Sequence, residues 1–390
     1  MNITDIFIAL LRSQIAKTGA GQIPTEKIDA AMLDELFRLA KIHDVSETLF
    51  LALVECGVLG EGHELYEKFT DAEDISYFRL KRLEHSLTKI MDALENAGID
   101  HLPLKGSVIR KYYPSPLMRM SADVDVLVRE SSLDDAIRVL VDELGYKVTS
   151  KKSFHDISLY TPDGMHLELH FNIMENSDLV DGVLARVWDY AVPVSHKKHE
   201  FSLSPEFFAF HIITHMTYHF VNGGCGVKPF SDLWIFNKCV GYDEDTVRAL
   251  CLECGIQTFY LNALALSRVW FLGEEHTALT KEMEAHILHN SVCGDIEKGI
   301  ASRQTAKGGR FGYVVSRIFM PYSQLKIRYR TLEKFPILLP WFEVVRWFEF
   351  LFGDKKRAKR ELEMTGRMTD ERMEKIKNFY SSVGLPESGI

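Results

Sequence analysis

The hydrophobic period changes twice along this chain, and those changes restrict the fold more than any single motif does. Helical steps fill the first ninety or so residues. AAMLDELFRLAKIHDV and ISYFRLKRLEHSLTKIMDALENAG repeat apolar positions every three or four residues. In the second segment Leu80, Leu83, Leu87, Ile90, Met91 and Leu94 fall on one stripe, and Gly98 supplies a C-terminal stop. Between Ile99 and Ile173 the pattern becomes strand-like. HLPLKGSVI is a short strand broken by Gly106. SADVDVLV alternates before turning continuously apolar, and YKVTS reads as a further strand. SLDDAIRVLVDELG interrupts them as a helix closed by Gly145, and ISLYTPDGMHLELHFNI predicts two strands joined by a turn at Pro162-Asp163-Gly164. From about Ser204 the helical period returns, with Pro205 at a first helical position and a break at Asn222-Gly223-Gly224.

The expected class is therefore α+β, a small mixed-sheet core flanked by N- and C-terminal helical regions. The hairpin and the excess of strands over helices separate it from a doubly wound nucleotide fold. The expected boundaries are 1–95 for an N-terminal helical region, 96–200 for the α/β core and 201–305 for a helical domain. Residues 306–390 form a basic, aromatic-rich helical C-terminal region. With 390 residues, 46% of them hydrophobic, the chain is long enough for two or three domains with real cores.

A formal net charge of -9 argues against an all-over nucleic-acid binder, because phosphate neutralisation needs an excess of Lys and Arg. The only basic concentration is Lys326, Arg328, Arg330 and Lys334, followed by Lys355, Lys356, Arg357, Lys359 and Arg360. Tyr322, Tyr329 and Trp341 are interleaved with it, but Glu333, Glu361 and Glu363 dilute it. A solvated helix face is the preferred reading, and nucleic acid is the less favoured one. Six scattered cysteines lack the framework of a secreted scaffold, and the N-terminus has Asp5 but no basic region of a secretory signal. A cytoplasmic protein is expected. The most apolar stretch, Phe335 to Phe352, carries Glu343, Arg346 and Glu349, so it reads as a buried or interfacial helix and not as a membrane span.

The chemistry is concentrated in the strand-rich unit. Residues two apart on a strand point the same way, so Asp123 and Asp125 present two carboxylates to one face. HLELHF puts His166, Glu168 and His170 on one side of its strand in the same manner. If the two strands are neighbours, three carboxylates converge, repel one another and raise at least one pKa. Mg²⁺ ions relieve that conflict, and a pair of them suits the in-line displacement of pyrophosphate. Asp156, on the adjacent strand, competes with Glu168 for the third place. Upstream, Gly106 lets backbone N–H groups approach a phosphate and Ser107 adds a hydroxyl. Arg119 is placed to hold triphosphate oxygens, and Lys105 either does the same or pairs with a carboxylate.

LPLKGSVIRKYYPSPLMRMSADVDVLV resembles the signature of the nucleotidyltransferase superfamily typified by DNA polymerase beta. More narrowly, L-K-G, a tyrosine-proline pair, R-x-x-x-D-V-D-V-L-V and E-L-H-F-N are similar to a family of uncharacterised bacterial nucleotidyltransferases. That match covers about Leu102 to Asn172, with looser likeness near His211 and near Phe319-Met320-Pro321. The resemblance implies that Gly106 and Ser107 hold a nucleoside triphosphate and that Asp123, Asp125 and Glu168 are catalytic and hold metal. The stretch from Ser107 to Asp123, with Tyr112, Tyr113 and Pro114, is longer than in the best-known superfamily members. Nucleotidyl transfer to a hydroxyl acceptor is then expected, with a small molecule favoured over protein or RNA. The other readings are a nucleotide- or partner-binding module without turnover, and a histidine-based metal hydrolase. Replacing either Asp is expected to abolish activity while stability holds or rises.

Outside that unit, His211, His215 and His219 lie at four-residue steps without the H-E-x-x-H glutamate. They read as a polar stripe lining a cleft, with zinc as the sharper alternative. His170, His215, His219 and Asp232 are the cleft candidates. Cys251 and Cys254 form a lone C-x-x-C, read as ordinary buried cysteines.

Overall fold

The computed structural model describes residues 2–19, 23–222, 224–288, 322, 325, 329, 331–352 and 370–386. Cys293, Gly308, Gly309, Phe319, Met320 and Pro321 lie outside them, as do the side chains of the basic cluster from Lys326 to Arg360.

Three helices open the chain: α1 (Ile3–Ile15), α2 (Ala30–Ile42) and α3 (Ser46–Glu55). The first begins with a capping box, in which the Asn2 side chain accepts from the Asp5 N–H while Asp5 accepts from the Asn2 N–H. The long α4 (Glu64–Asn96) follows. Leu80, Leu83, Ile90, Met91 and Leu94 of its predicted stripe are buried. It stops where the sequence requires: Gly98 is left-handed at φ +72°, and the Ile99 N–H bonds the Leu94 carbonyl. Gly145 closes α6 (Leu133–Asp142) in the same way, with the Tyr146 N–H on the Leu140 carbonyl.

Five strands form one mixed sheet: β1 (His101–Pro103), β2 (Asp123–Val128), β3 (Lys147–Lys152), β4 (Asp156–Tyr160) and β5 (His166–His170). Their spatial order is β1-β2-β5-β4-β3. Only β2 and β5 are parallel, and their register sets Asp123 opposite His166 and Asp125 opposite Glu168. The hairpin between β4 and β5 turns at Pro162-Asp163-Gly164 as the sequence predicts, with Gly164 at φ +85°. A single turn α5 (Lys105–Ile109) connects β1 to the loop before β2. A two-stranded ribbon, β6 (Ala191–Pro193) and β7 (Phe201–Leu203), follows the short α7 (Asp181–Leu184).

The last helices are α8 (Pro205–Val221), α9 (Lys228–Cys239), α10 (Glu244–Glu253), α11 (Gln257–Leu272) and α12 (Ala278–Leu288), then α13 (Leu339–Phe352) and α14 (Asp370–Val383). A turn at Thr331–Lys334 precedes α13. The α+β architecture with helical flanks is the one expected.

Two apolar cores sandwich the sheet. Val124, Val126 and Val128 of β2 and Leu167 and Leu169 of β5 pack against α4 and α6. The larger core joins α1, α2 and α3 to α8, α9, α11 and α12, and takes in Leu102, Leu104 and Leu127 from the sheet side. The polar face of β2 and β5 thus points toward the second helical layer.

The Phe335-to-Phe352 segment is helical from Leu339, and among its described side chains the buried ones are the ion pair Glu343 and Arg346, 2.8 Å apart, while Trp341 is 62% exposed. An i, i+3 pair satisfies both charges within the helix, which lets them turn inward. Among the described residues no helix is long and apolar enough to cross a membrane. Cys251 and Cys254 are both buried, and burial pushes their thiol pKa values up.

Candidate active site

Strand alternation and the parallel β2–β5 register bring the acidic residues together. Among the described residues two groups offer converging ligand atoms, Asp123 with His166 and Glu168, and Asp125 with Glu168 and His170. Within each group the three atoms lie within 4.8 Å of one another, and Glu168 belongs to both. Asp156 belongs to neither. It sits opposite His170 on β4 and is held by His155, whose Nε2 is 3.1 Å from its Oδ1.

The two aspartates have opposite electrostatics. Asp123 is raised above the ordinary carboxylate value, first by burial and then by the charges of Asp125 and Glu168. Burial works on Asp125 in the same direction, but the Lys105 charge and hydrogen bonds from His170 and Lys105 hold it far below the usual range. Lys105 Nζ donates to Asp125 Oδ1 at 3.1 Å, and His170 Nε2 lies 3.0 Å from the same oxygen. Burial alone would lower Lys105 and His170, yet the surrounding carboxylates raise both. Lys105 also has a left-handed backbone at φ +44°, an uncommon conformation for a side chain-bearing residue. Such strain persists where surrounding contacts over-determine it, and here the contact is the ammonium on Asp125.

Gly106 and Ser107 lie in the first turn of α5, directly after β1. A Cβ on Gly106 would sit in ordinary contact with the Ser121 side chain, at 3.4 Å. Arg119, expected on triphosphate oxygens, pairs with Asp232 and also lines the cavity beside the histidine stripe of α8. Its Nε donates to both carboxylate oxygens at 2.8 and 3.0 Å, and Nη2 adds a bond of 2.9 Å. The Tyr113 hydroxyl donates to Asp232 Oδ1 at 2.6 Å. That clamp fixes the long segment between Ser107 and Asp123 to α9, giving it a structural explanation.

The histidine stripe of α8 lines a cavity of about 170 Å³ together with Lys105, Lys228 and Asp232. His215 Nδ1 lies 2.8 Å from Glu175 Oε1, and His215 Nε2 lies 3.1 Å from His219 Nε2. Burial, followed by the neighbouring His215, pulls His211 and His219 down to about 3, which keeps both neutral near pH 7. Burial would raise Glu175, but its bond to His215 lowers it to about 2. The stripe is a hydrogen-bonded cavity wall that adjoins the carboxylates through Lys105.

Glu175, Lys228 and Arg110 were not singled out by sequence. Lys228 pairs with Asp44 and donates to the Met120 carbonyl. Arg110 is buried and bonds Ser121. None stands at a diagnostic spacing; only the approach of α8 and α9 to the sheet reveals them.

No curated protein matches the chain. The family described as uncharacterised nucleotidyltransferase matches residues 29–272, more than half of the sequence, from the start of α2 to the end of α11. On that extent the chain belongs to the uncharacterised nucleotidyltransferase family.

Proposed function

We propose that the chain moves a nucleoside monophosphate from an NTP to the hydroxyl of a small acceptor on a polymerase-beta-like core. The acceptor oxygen bonds to the α-phosphorus, the bond from that phosphorus to the β-bridging oxygen breaks, and pyrophosphate leaves. The observation that carries this reading is the convergence of Asp123, Asp125 and Glu168 on one face of β2 and β5.

The donor set suits divalent cations: the carboxylates are close and mutually repelling, and Lys105 and His170 compensate Asp125 while Asp123 stays raised by its acidic neighbours. Asp123, Asp125 and Glu168 would hold Mg²⁺, two ions by preference, which when bound supplies neutralisation of phosphate charge and acidifies the acceptor hydroxyl. Ser107 offers a hydroxyl to the triphosphate. Lys105, released from Asp125, supplies a mobile ammonium to the same phosphates. Glu168, about a quarter exposed, accepts the acceptor proton on a carboxylate oxygen. Arg119 and Asp232 act by holding the loop before β2 in place. The cavity beside Lys105 suits a small acceptor better than a polymer, since about 170 Å³ admits little more than one ring.

Calorimetric titration with α,β-non-hydrolysable analogues of the four NTPs, with and without Mg²⁺, tests the reading. Wild type should bind at least one analogue in a Mg²⁺-dependent way, and Asp123→Asn/Glu168→Gln should lose that binding. Failure of all four to bind wild type would refute it.

A further inference from the structure

Each of the two carboxylate groups contains an imidazole. Asp123 and Glu168 converge with His166, and Asp125 and Glu168 converge with His170. On an alternating strand, the three side chains on this face of β5 are His166, Glu168 and His170, so the nitrogens flank the shared carboxylate. Ligands at right angles around an ion, each about 2.1 Å from it, are about 3.0 Å apart, and opposite ligands are about 4.2 Å apart. His170 Nε2 lies 3.0 Å from Asp125 Oδ1 and 3.5 Å from Glu168 Oε2, which are spacings of that size. His166 stands directly across from Asp123, and its ring is fixed by stacking on Tyr160 at 4.4 Å and 11°. Its Nε2 is buried without a hydrogen-bond partner, although buried polar atoms are normally paired.

From this we infer that His166 and His170 are nitrogen ligands, and that the site takes a first-row transition cation in preference to Mg²⁺. The inference rests on the cation site proposed above and narrows its chemistry. Mg²⁺ prefers oxygen and keeps much of its water, whereas imidazole favours the later divalent metals. Two oxygens and one nitrogen per ion suit Mn²⁺ and its neighbours. A hydrogen-bonding role alone would leave metal preference untouched when an imidazole is replaced.

Mn²⁺ serves as the probe, added to the full-length protein. Calorimetry gives its affinity beside that of Mg²⁺, and the electron spin echo of bound Mn²⁺ shows whether nitrogen is coordinated. Wild type should display nitrogen modulation. His166→Gln should weaken it and lower Mn²⁺ affinity about tenfold while Mg²⁺ affinity changes less than about twofold. Asp123→Asn, as the comparison, should weaken both ions together. Because His170 is buried, His170→Gln is read only if its melting profile matches wild type; His166, at the edge of the sheet face, carries the test if it does not. Absence of nitrogen modulation in wild type, or equal loss of Mn²⁺ and Mg²⁺ in His166→Gln, would overturn the inference. Mg²⁺-dependent NTP binding in either of those cases leaves nucleotidyl transfer standing. Loss of both ion and NTP binding from wild type would overturn both.

Discussion

Asp123 and Asp125 are two residues apart on one strand, yet neutralising them should move stability in opposite directions. Asp123 is raised by burial and by its acidic neighbours, so its charge opposes folding. That cost is absent in acid, grows as pH rises through the ordinary carboxylate range, and is complete above the folded pKa. Asp123→Asn removes it and should leave the metal-free protein between equal to wild type and about 1 kcal/mol more stable at pH 7. Asp125 is the reverse case. Its depressed pKa means its stabilisation is complete above the ordinary carboxylate value and is lost as pH falls from there. Asp125→Asn leaves Lys105 and His170 without their charged partner at 3.1 and 3.0 Å. Breaking a fully buried pair costs about 3–5 kcal/mol; Lys105 retains some solvent and Glu168, so about 2–3 kcal/mol is expected. These electrostatics keep the sequence-based expectation of unchanged or raised stability for Asp123 and predict the opposite for Asp125. Urea unfolding in EDTA at several pH values checks this. The two difference curves should have opposite signs at pH 7 and converge in acid. A loss of more than 2 kcal/mol in Asp123→Asn, or a neutral Asp125→Asn, would refute the electrostatic assignment.

Other consequences are as direct. Asp232→Asn leaves the Arg119 guanidinium buried without its counter-charge and should cost about 3–5 kcal/mol in urea unfolding, whereas the pair Arg119→Met/Asp232→Leu should recover most of it. Glu175 owes its low pKa to His215, so its contribution is present above about pH 4.5 and lost as pH falls toward 2; Glu175→Gln should flatten that part of the acid unfolding curve. Gly384 follows α14 at φ +86°, and a Cβ there would collide with the Thr258 side chain and the Phe259 backbone nitrogen. Gly384→Ala should detach the C-terminal helix from α11, read as faster proteolysis after residue 352 with the rest of the chain intact.

Local rules made most of this fold readable. The stops at Gly98 and Gly145, the hairpin at Gly164 and the burial of the α4 stripe all follow from glycine conformation and period. The carboxylate face was readable because strand alternation is strict; only the parallel pairing of β2 with β5 had to be supplied by the fold. What escaped the sequence depends on long-range partners. The pairing of Arg119 with Asp232 is one such case, since nothing near Arg119 in sequence signals a partner 113 residues away. Glu175 follows β5 without a motif, and His215, its partner, is 40 residues on. The inward Glu343–Arg346 pair is hidden for a different reason, since hydropathy scores each charge singly and ignores pairing one turn apart.

The α/β core should not fold when excised as residues 96–200. One face of its sheet is covered by α4 and α6, and α4 lies almost wholly outside that range. The other face carries Asp123, Asp125 and Glu168, and beside it Leu102, Leu104, Ile109 and Leu127 enter the core built by α8, α9 and α11. Excision therefore uncovers apolar surface on both sides. Leu102, Leu104 and Leu127 are fully buried in the intact chain, and exposing each costs about 1.5–3 kcal/mol, a sum comparable to the entire stability of a small domain. The Arg119 clamp is cut as well, since Asp232 is absent, and the loop before β2 loses its anchor just where the aspartates begin. The carboxylate face is thus held from outside the strands that carry it. Expression of residues 96–200 beside 29–272, with circular dichroism and urea titration, tests this. A cooperative transition in the longer piece alone is expected. A cooperative transition in 96–200 would show that the flanking helices cover the core without being needed to form it.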